Sequence, residues 1–390
     1  MFFSITRNIK DNFSQSYRLG SFDVYTDEGW RLTLVGDHTV LHKGYADTGT
    51  METMLPLIIK QQEPKLRGNF CAIVFDPATN TIQIKTDRYR SFPMYITDNK
   101  EITNLTPQAR TVWSDGVITV DQNLRVTEEK FNLVGDIDLG PITLDQALEQ
   151  IDSILAKRVE DFLQHNNLPI KVFLSGGVDS LLVYSYLQRF TDKYQMVKCQ
   201  HVDYDRFWLM NSGTIQQRFW GYGQIHHWND SCILTSGAPG DEYMLRSPNT
   251  VDMLLKFNNV LMVDLLNTAW AGCLHEQYFR RDKNLQVFQN QTIDPAWDRR
   301  TLFWNMCNII ANDWQHWHLG NTLTWTPLRD LEIFKILLRL PLDVQLTQIM
   351  NSDISKKLIE RNGPGLTRLI SNQKNSGNPL SNLTDFLLKQ

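Results

Sequence analysis

The chain has 390 residues and a formal net charge of −4, from 39 basic and 43 acidic side chains. At roughly 150 residues per domain, that length predicts two domains. With 42% apolar residues, global disorder is excluded. A near-neutral, slightly acidic chain is poorly suited to wrapping nucleic acid by bulk electrostatics. The cysteines stand at 71, 199, 232, 273 and 307, odd in number, widely spaced and without a C-x-x-C pair. This excludes a disulfide framework and argues against a zinc site. The opening MFFSITRNIKDNF carries Arg7, Lys10 and Asp11 and lacks the apolar run of a signal peptide. The most apolar stretch, 259–274, is interrupted by Asp264 and reads as a buried helix, not a bilayer span. These features predict a cytoplasmic protein with no membrane segment and no nucleic-acid partner.

The first 140 or so residues read as strands and turns. LTLV (32–35), FCAIVFD (70–76) and TIQIKTD (81–87) are apolar or alternating runs, and DPATNT (76–81) supplies the chemistry of a hairpin between the last two. One helix is predicted over 50–62, where Pro56 should restrict or kink it. The turn-rich GDIDLGP (135–141) then leads into a helix over 142–166, with apolar residues at 147, 151, 154, 155, 159 and 162 and Thr143 as N-cap. The domain boundary is placed here, giving domains 1–140 and 141–390. Beyond it, strand-like and helix-like runs alternate, the pattern of a parallel α/β sheet. Tryptophans concentrate between 208 and 325 and read as large core side chains.

The sharpest local signal is PIKVFLSGGVDSLLVYSYLQRF (169–190). An apolar strand runs into Ser175-Gly176-Gly177-Val178-Asp179-Ser180, and a helical pattern follows. A strand, a small-residue loop and a helix N-terminus form an anion site, because backbone N–H groups can approach phosphate oxygens and the helix dipole favours negative charge. Ser175 and Ser180 offer hydroxyl donors. Asp179 would repel phosphate directly, so its natural task is to hold Mg²⁺. No Gly-Lys-Ser/Thr is present, so this is not a Walker A loop. The string resembles the PP-loop of the ATP pyrophosphatases, which split ATP between its α- and β-phosphates.

A second loop, SCILTSGAPGDEYMLR (231–246), again follows an apolar strand and holds Ser236, Gly237, Gly240, Asp241 and Glu242. It resembles the S-G-x-G-[SA]-D-E loop of asparagine synthetases. TWTPLRDLEIFKILLRLP (324–341) resembles their V-P-F-L-D segment, and ISNQKNSGNP (370–379) their R-x-K segment, with Lys374 in the place of the essential lysine. LRGNFCAIVFDPATNTIQIKTDRYRSFPMYI (66–96) is similar to part of their glutamine-hydrolysing domain. The resemblance implies an N-terminal α+β amidotransferase-like domain of the N-terminal-nucleophile type, followed by a parallel α/β PP-loop domain. It also implies an adenylating ligase that uses ATP and Mg²⁺. A small-molecule or peptide carboxylate attacks the α-phosphorus, and ammonia or another amine then displaces AMP. Pyrophosphate contact falls to Ser175, Gly176, Gly177, Ser180 and Ser236. Mg²⁺ falls to Asp179 and Asp241, with Glu242 as a further ligand. Adenosine falls to backbone near Leu174, Val202 and Gly237, and transition-state stabilisation to Lys374.

Two departures shape the expectation. Glutamine hydrolysis in this family uses a cysteine directly after the initiator Met, and here position 2 is Phe2. Their N-G-E glutamine-binding segment is not recognisable, and Asp87 stands in the place of a glutamine-binding carboxylate. Cys71 lies in a strand-like run and reads as core. No glutaminase activity is therefore expected. In the second loop, asparagine synthetases carry a Glu where this chain has Ala238, so another group must act as base or the nucleophile differs. The contrasting reading is a catalytically impaired ATP-binding or scaffold protein. Retention of Asp179, Asp241 and Lys374 argues against it. PP-loop chemistry on tRNA is disfavoured, since neither catalytic cysteines nor a basic added domain is evident. His226-His227 and His316-Trp317-His318 lack the spacing of a metal site, and 280–283 and 298–300 read as solvated basic faces.

Overall fold

The computed structural model describes residues 3–6, 14–26, 28–60, 66–88, 94–96, 102–103, 110–112, 116–130, 140–174, 177–197, 231–235, 237, 240–245, 323–341, 344, 348 and 351–370. The expected helix at 259–274, both histidine clusters and the two basic runs lie outside these residues.

The first half contributes strands β1 (Phe3–Thr6), β2 (Gln15–Leu19), β3 (Phe22–Thr26), β4 (Arg31–Val35) and β5 (His38–Ala46), then helix α1 (Met51–Lys60). It continues with β6 (Gly68–Asp76), β7 (Thr81–Thr86), β8 (Met94–Ile96), β9 (Ile102–Thr103), β10 (Arg110–Val112), β11 (Gly116–Val120) and β12 (Val126–Lys130). They form two six-stranded sheets, ordered β10-β8-β9-β1-β3-β2 and β12-β11-β7-β6-β5-β4. Every described strand pairing in both is antiparallel.

Strand β6 shows why FCAIVF reads as a continuous apolar run. Its side chains alternate between two buried faces. Cys71 and Ile73 join the main core with Ile5 and Val24. Phe70, Ala72 and Val74 pack with Met51, Leu55 and Ile58 of α1. The β6–β7 connection is a hairpin closing at Asp76 opposite Thr81. The Asp76 carboxylate accepts the Ala78 N–H at 2.9 Å and the Thr79 hydroxyl at 2.8 Å. Pro56 does not interrupt α1, which runs through it. The burial of Met51, Leu55 and Ile58 against the sheet outweighs the lost backbone bond.

The second half begins with α2 (Leu144–His165), then β13 (Ile170–Phe173), α3 (Val178–Phe190), β14 (Tyr194–Val197), β15 (Ile233–Thr235), α4 (Gly240–Tyr243), β16 (Leu323–Trp325), α5 (Leu331–Leu338) and α6 (Asp353–Asn362). Helix α2 starts at a reciprocal capping box, with the Thr143 hydroxyl accepting the Gln146 N–H and the Gln146 side chain accepting the Thr143 N–H. The four strands form a parallel sheet ordered β14-β13-β15-β16. Among the described residues, no helix is long and apolar enough to cross a membrane.

The two halves meet along β16 and the residues after it. The Tyr45 hydroxyl and the Asn69 amide both donate to the Thr324 carbonyl, at 2.7 and 3.0 Å. Phe162 of α2 stacks on Trp325 at 4.0 Å between centroids and meets Tyr45 edge-on at 5.4 Å. Trp325, the one member of the tryptophan-rich region described, is thus a core side chain. Beside this aromatic group, Arg158 pairs with Asp47 at 2.8 Å, their side chains 5% and 4% exposed. It also donates to the carbonyls of Pro327 and Arg329 at 2.8 and 2.6 Å. Asp330 lies 3.7 Å from Arg158 and 3.3 Å from Arg67. Its other oxygen caps α5 by accepting the Glu332 and Ile333 N–H groups.

Because Phe162 joins the aromatic side chains of both halves, Phe162→Ala should destabilise the protein by about 3–5 kcal/mol. Urea unfolding followed by tryptophan fluorescence measures this. A loss below about 1 kcal/mol would mean that the seam does not depend on that ring.

Candidate functional site

The site lies where two strand-to-helix loops leave adjacent parallel strands. In an open α/β sheet, ligands bind outside the carboxyl ends of the strands, where successive loops diverge and expose helix N-termini. Strand β13 ends at Phe173, and α3 starts at Val178 with Gly177 as N-cap. Gly177 makes no side-chain cap on α3, and a helix N-terminus favours negative charge through its dipole. Strand β15 is hydrogen-bonded to β13 in parallel, with Val172 opposite Thr235. The second loop therefore leaves the sheet beside the first.

The two loops touch. A Cβ added at Gly237 would lie 2.1 Å from the Ser180 nitrogen and 2.6 Å from the Asp179 Cβ. One added at Gly240 would lie 2.5 Å from the Asp179 Cγ and 2.9 Å from its Oδ1. Neither position tolerates a side chain, because the second loop rests directly on the first turn of α3. The loop is further tightened by the Gly240 N–H donating to the Gly237 carbonyl at 2.6 Å. Two glycines far from Asp179 in sequence thus exist to let backbone approach that one carboxylate.

The described residues carry part of the expected site. Leu174 and Gly177 are half-buried, as is Asp179 on the first turn of α3, while Ser180 and Gly237 are buried. Asp241 and Glu242 belong to α4, so their backbone starts next to Gly240 and Asp179, but their side chains are outside the described residues. Ser175, Gly176, Val202, Ser236, Ala238 and Lys374 also lie outside them. The Ser180 hydroxyl donates to the Gly177 carbonyl at 2.9 Å, a bond that ties the loop to its own helix. Among the described residues, no group of three His, Cys, Asp or Glu side chains is placed to hold a metal.

Sequence reasoning missed the support behind the second loop. Tyr243, the last residue of α4, is fully buried, and its hydroxyl accepts from Arg329 Nε at 2.9 Å. The Arg329 guanidinium also lies 5.9 Å from the centre of the Tyr243 ring. The signal was present as an aromatic residue directly after Asp241-Glu242 and an arginine in TPLRD, but nothing in the sequence pairs them.

In the first half, Cys71 is fully buried on β6, and Asp87 at the end of β7 is buried too. The Asp87 carboxylate accepts the Phe70 N–H at 3.4 Å. Desolvation, aided by the Asp87 charge, pushes the Cys71 thiol well above the ordinary range, which disables it as a nucleophile.

Gly237→Ala should force the second loop off α3. Its hydrogen exchange across 233–245 should rise about tenfold or more, while that of β5 and β6 stays unchanged. Unaltered exchange would contradict the close approach. A raised thiol pKa means that little thiolate forms even at pH 9, so Cys71 should resist iodoacetamide in the native protein and react only on unfolding. Peptide mass spectrometry would show this, and rapid native alkylation at Cys71 would contradict it.

The chain matches no protein-family model and no curated protein.

Proposed function

We propose that this chain is an ATP-dependent ligase that joins a carboxylate to ammonia or another amine and releases AMP and pyrophosphate. The observation that carries this reading is the packing of Gly237 and Gly240 against Asp179. It unites the two loops that resemble asparagine synthetase motifs at the carboxyl edge of one parallel sheet.

The residues fit a nucleotide with its magnesium ion. Gly177 puts no side chain at the N-terminus of α3, and the glycines of the second loop allow backbone to approach beside it. Asp179 and Asp241 would hold Mg²⁺, with Glu242 as a further ligand. The metal would supply charge neutralisation on the phosphate oxygens. Ser175, Gly176 and Ser236 would add donors around the pyrophosphate. Lys374 would counter the charge that develops on the leaving group.

The reaction follows from the weakness of a free carboxylate as an acyl donor. A carboxylate oxygen attacks the α-phosphorus, the bond to the β-phosphate oxygen breaks, and pyrophosphate leaves with the electron pair. The amine then attacks the acyl carbon, AMP leaves and the amine nitrogen loses a proton. The protein contributes alignment and charge stabilisation. Cys71 is buried and is no glutaminase nucleophile, so the amine arrives from solution or from a partner. Ala238 offers no carboxylate as base, so that proton passes to another acceptor.

Product analysis with labelled ATP, Mg²⁺, ammonium and a pool of carboxylates should yield AMP and pyrophosphate in equal amounts. Asp179→Ala should lower the rate by about 100-fold or more. Lys374→Ala should retain Mg·ATP affinity and lose turnover by about 10²–10³-fold. Formation of ADP and phosphate, or undiminished turnover in Asp179→Ala, would overturn the reading.

A further inference from the structure

The first half directs buried charges at the second half. Asp47 sits at the end of β5 and presents a buried carboxylate to Arg158 of α2 at 2.8 Å. Arg158 grips the main chain after β16 through the carbonyls of Pro327 and Arg329. That grip fixes the origin of the Arg329 side chain, whose Nε donates to the Tyr243 hydroxyl at 2.9 Å. Tyr243 closes α4, and the first residue of α4, Gly240, rests on Asp179. The contacts of Arg158 and Arg329 in this series are hydrogen bonds of 2.6–2.9 Å, two of them to main chain, and Arg158, Arg329 and Tyr243 are all buried. Water therefore competes little with these bonds, and a charge-assisted bond in such surroundings is strong and directional.

We propose that Asp47 is a positioning residue for the second loop, acting through Arg158, Arg329 and Tyr243 to hold α4 against Asp179. The antiparallel half is then a clamp on the proposed nucleotide site. Tyr45 and Asn69 reinforce the clamp through the Thr324 carbonyl. Asp47 acts on the loop through the intervening arginines, with Arg158 joining it to the Arg329 carbonyl. Residues that far apart act independently unless a shared network couples them.

The test uses the full chain with Asp47→Asn, Tyr243→Phe and the double variant. Two quantities are read: the Kd for Mg·ATP by titration calorimetry, and hydrogen exchange of 233–245 without nucleotide. Each single variant should weaken Mg·ATP binding about fivefold or more and raise exchange in that segment. The double variant should be no worse than the poorer single variant by more than about twofold, because both cut one chain of contacts. Wild-type affinity and exchange in the single variants, or effects that multiply in the double, would overturn the proposal. The affinity readout rests on the ligase reading above, while the exchange readout does not. If the wild type fails to bind Mg·ATP, the ligase reading falls and exchange alone decides the coupling. If Asp47→Asn does not fold, Tyr243→Phe removes only one hydroxyl, and unchanged exchange across 233–245 in that variant overturns the proposal.

Discussion

Arg158 carries a full positive charge into the seam between an antiparallel half and a parallel half. A guanidinium with a side chain 5% exposed must find its compensation inside the protein. It finds Asp47 on one side, Asp330 on the other, and two carbonyls between them. Removing one partner of such a buried set generally costs about 3–5 kcal/mol, because the remaining charge is stranded. The geometry of the seam is thereby narrowly defined. β16 and the turn leading to α5 have one place to sit, the carbonyls must face Arg158, and Asp330 must cap α5 while lying near Arg67. Apolar packing of Phe162, Trp325 and Tyr45 adds strength next to this set. The charged set adds direction, which dispersion and area burial lack.

That direction matters because the site depends on backbone approach. Two loops from neighbouring strands can share one ligand only if they lie within contact distance, and Gly237 and Gly240 bring them there at Asp179. Glycine removes the steric barrier but supplies no attraction of its own. The attraction comes from behind the loop, where Tyr243 is fixed by Arg329. A rigid scaffold behind small residues is a general way to present amides and carboxylates to a phosphate without filling the space it needs.

Much of the local structure was legible in the sequence. The alternation around FCAIVFD and TIQIKTD, the turn residues of DPATNT and the cap at Thr143 each have a direct physical cause within a few residues. The strand–loop–helix pattern at 169–190 and the strand before Ser236 were equally readable, and their adjacency follows from parallel pairing of β13 with β15. The helix around Pro56 was readable too, and packing of α1 on β5 and β6 carries it through the missing amide. The network at the seam was legible in principle. Arg158 falls among the apolar positions 151, 155, 159 and 162 of an amphipathic helix, a place where a charge requires a buried partner. Its partners Asp47 and Asp330 lie far away in sequence, and no local rule can choose them. The same holds for Tyr243 with Arg329.

The first half is best understood through its contacts. Cys71 and Asp87 serve its core, while Tyr45, Asp47, Arg67 and Asn69 hold the second half. The account stands or falls on whether the joined loops form one magnesium–phosphate site. Titration calorimetry with pyrophosphate, with and without Mg²⁺, measures that directly. The account predicts magnesium-dependent binding by the wild type that is lost in both Asp179→Asn and Gly237→Ala. Absence of binding by the wild type, or binding indifferent to magnesium and to both substitutions, would contradict it.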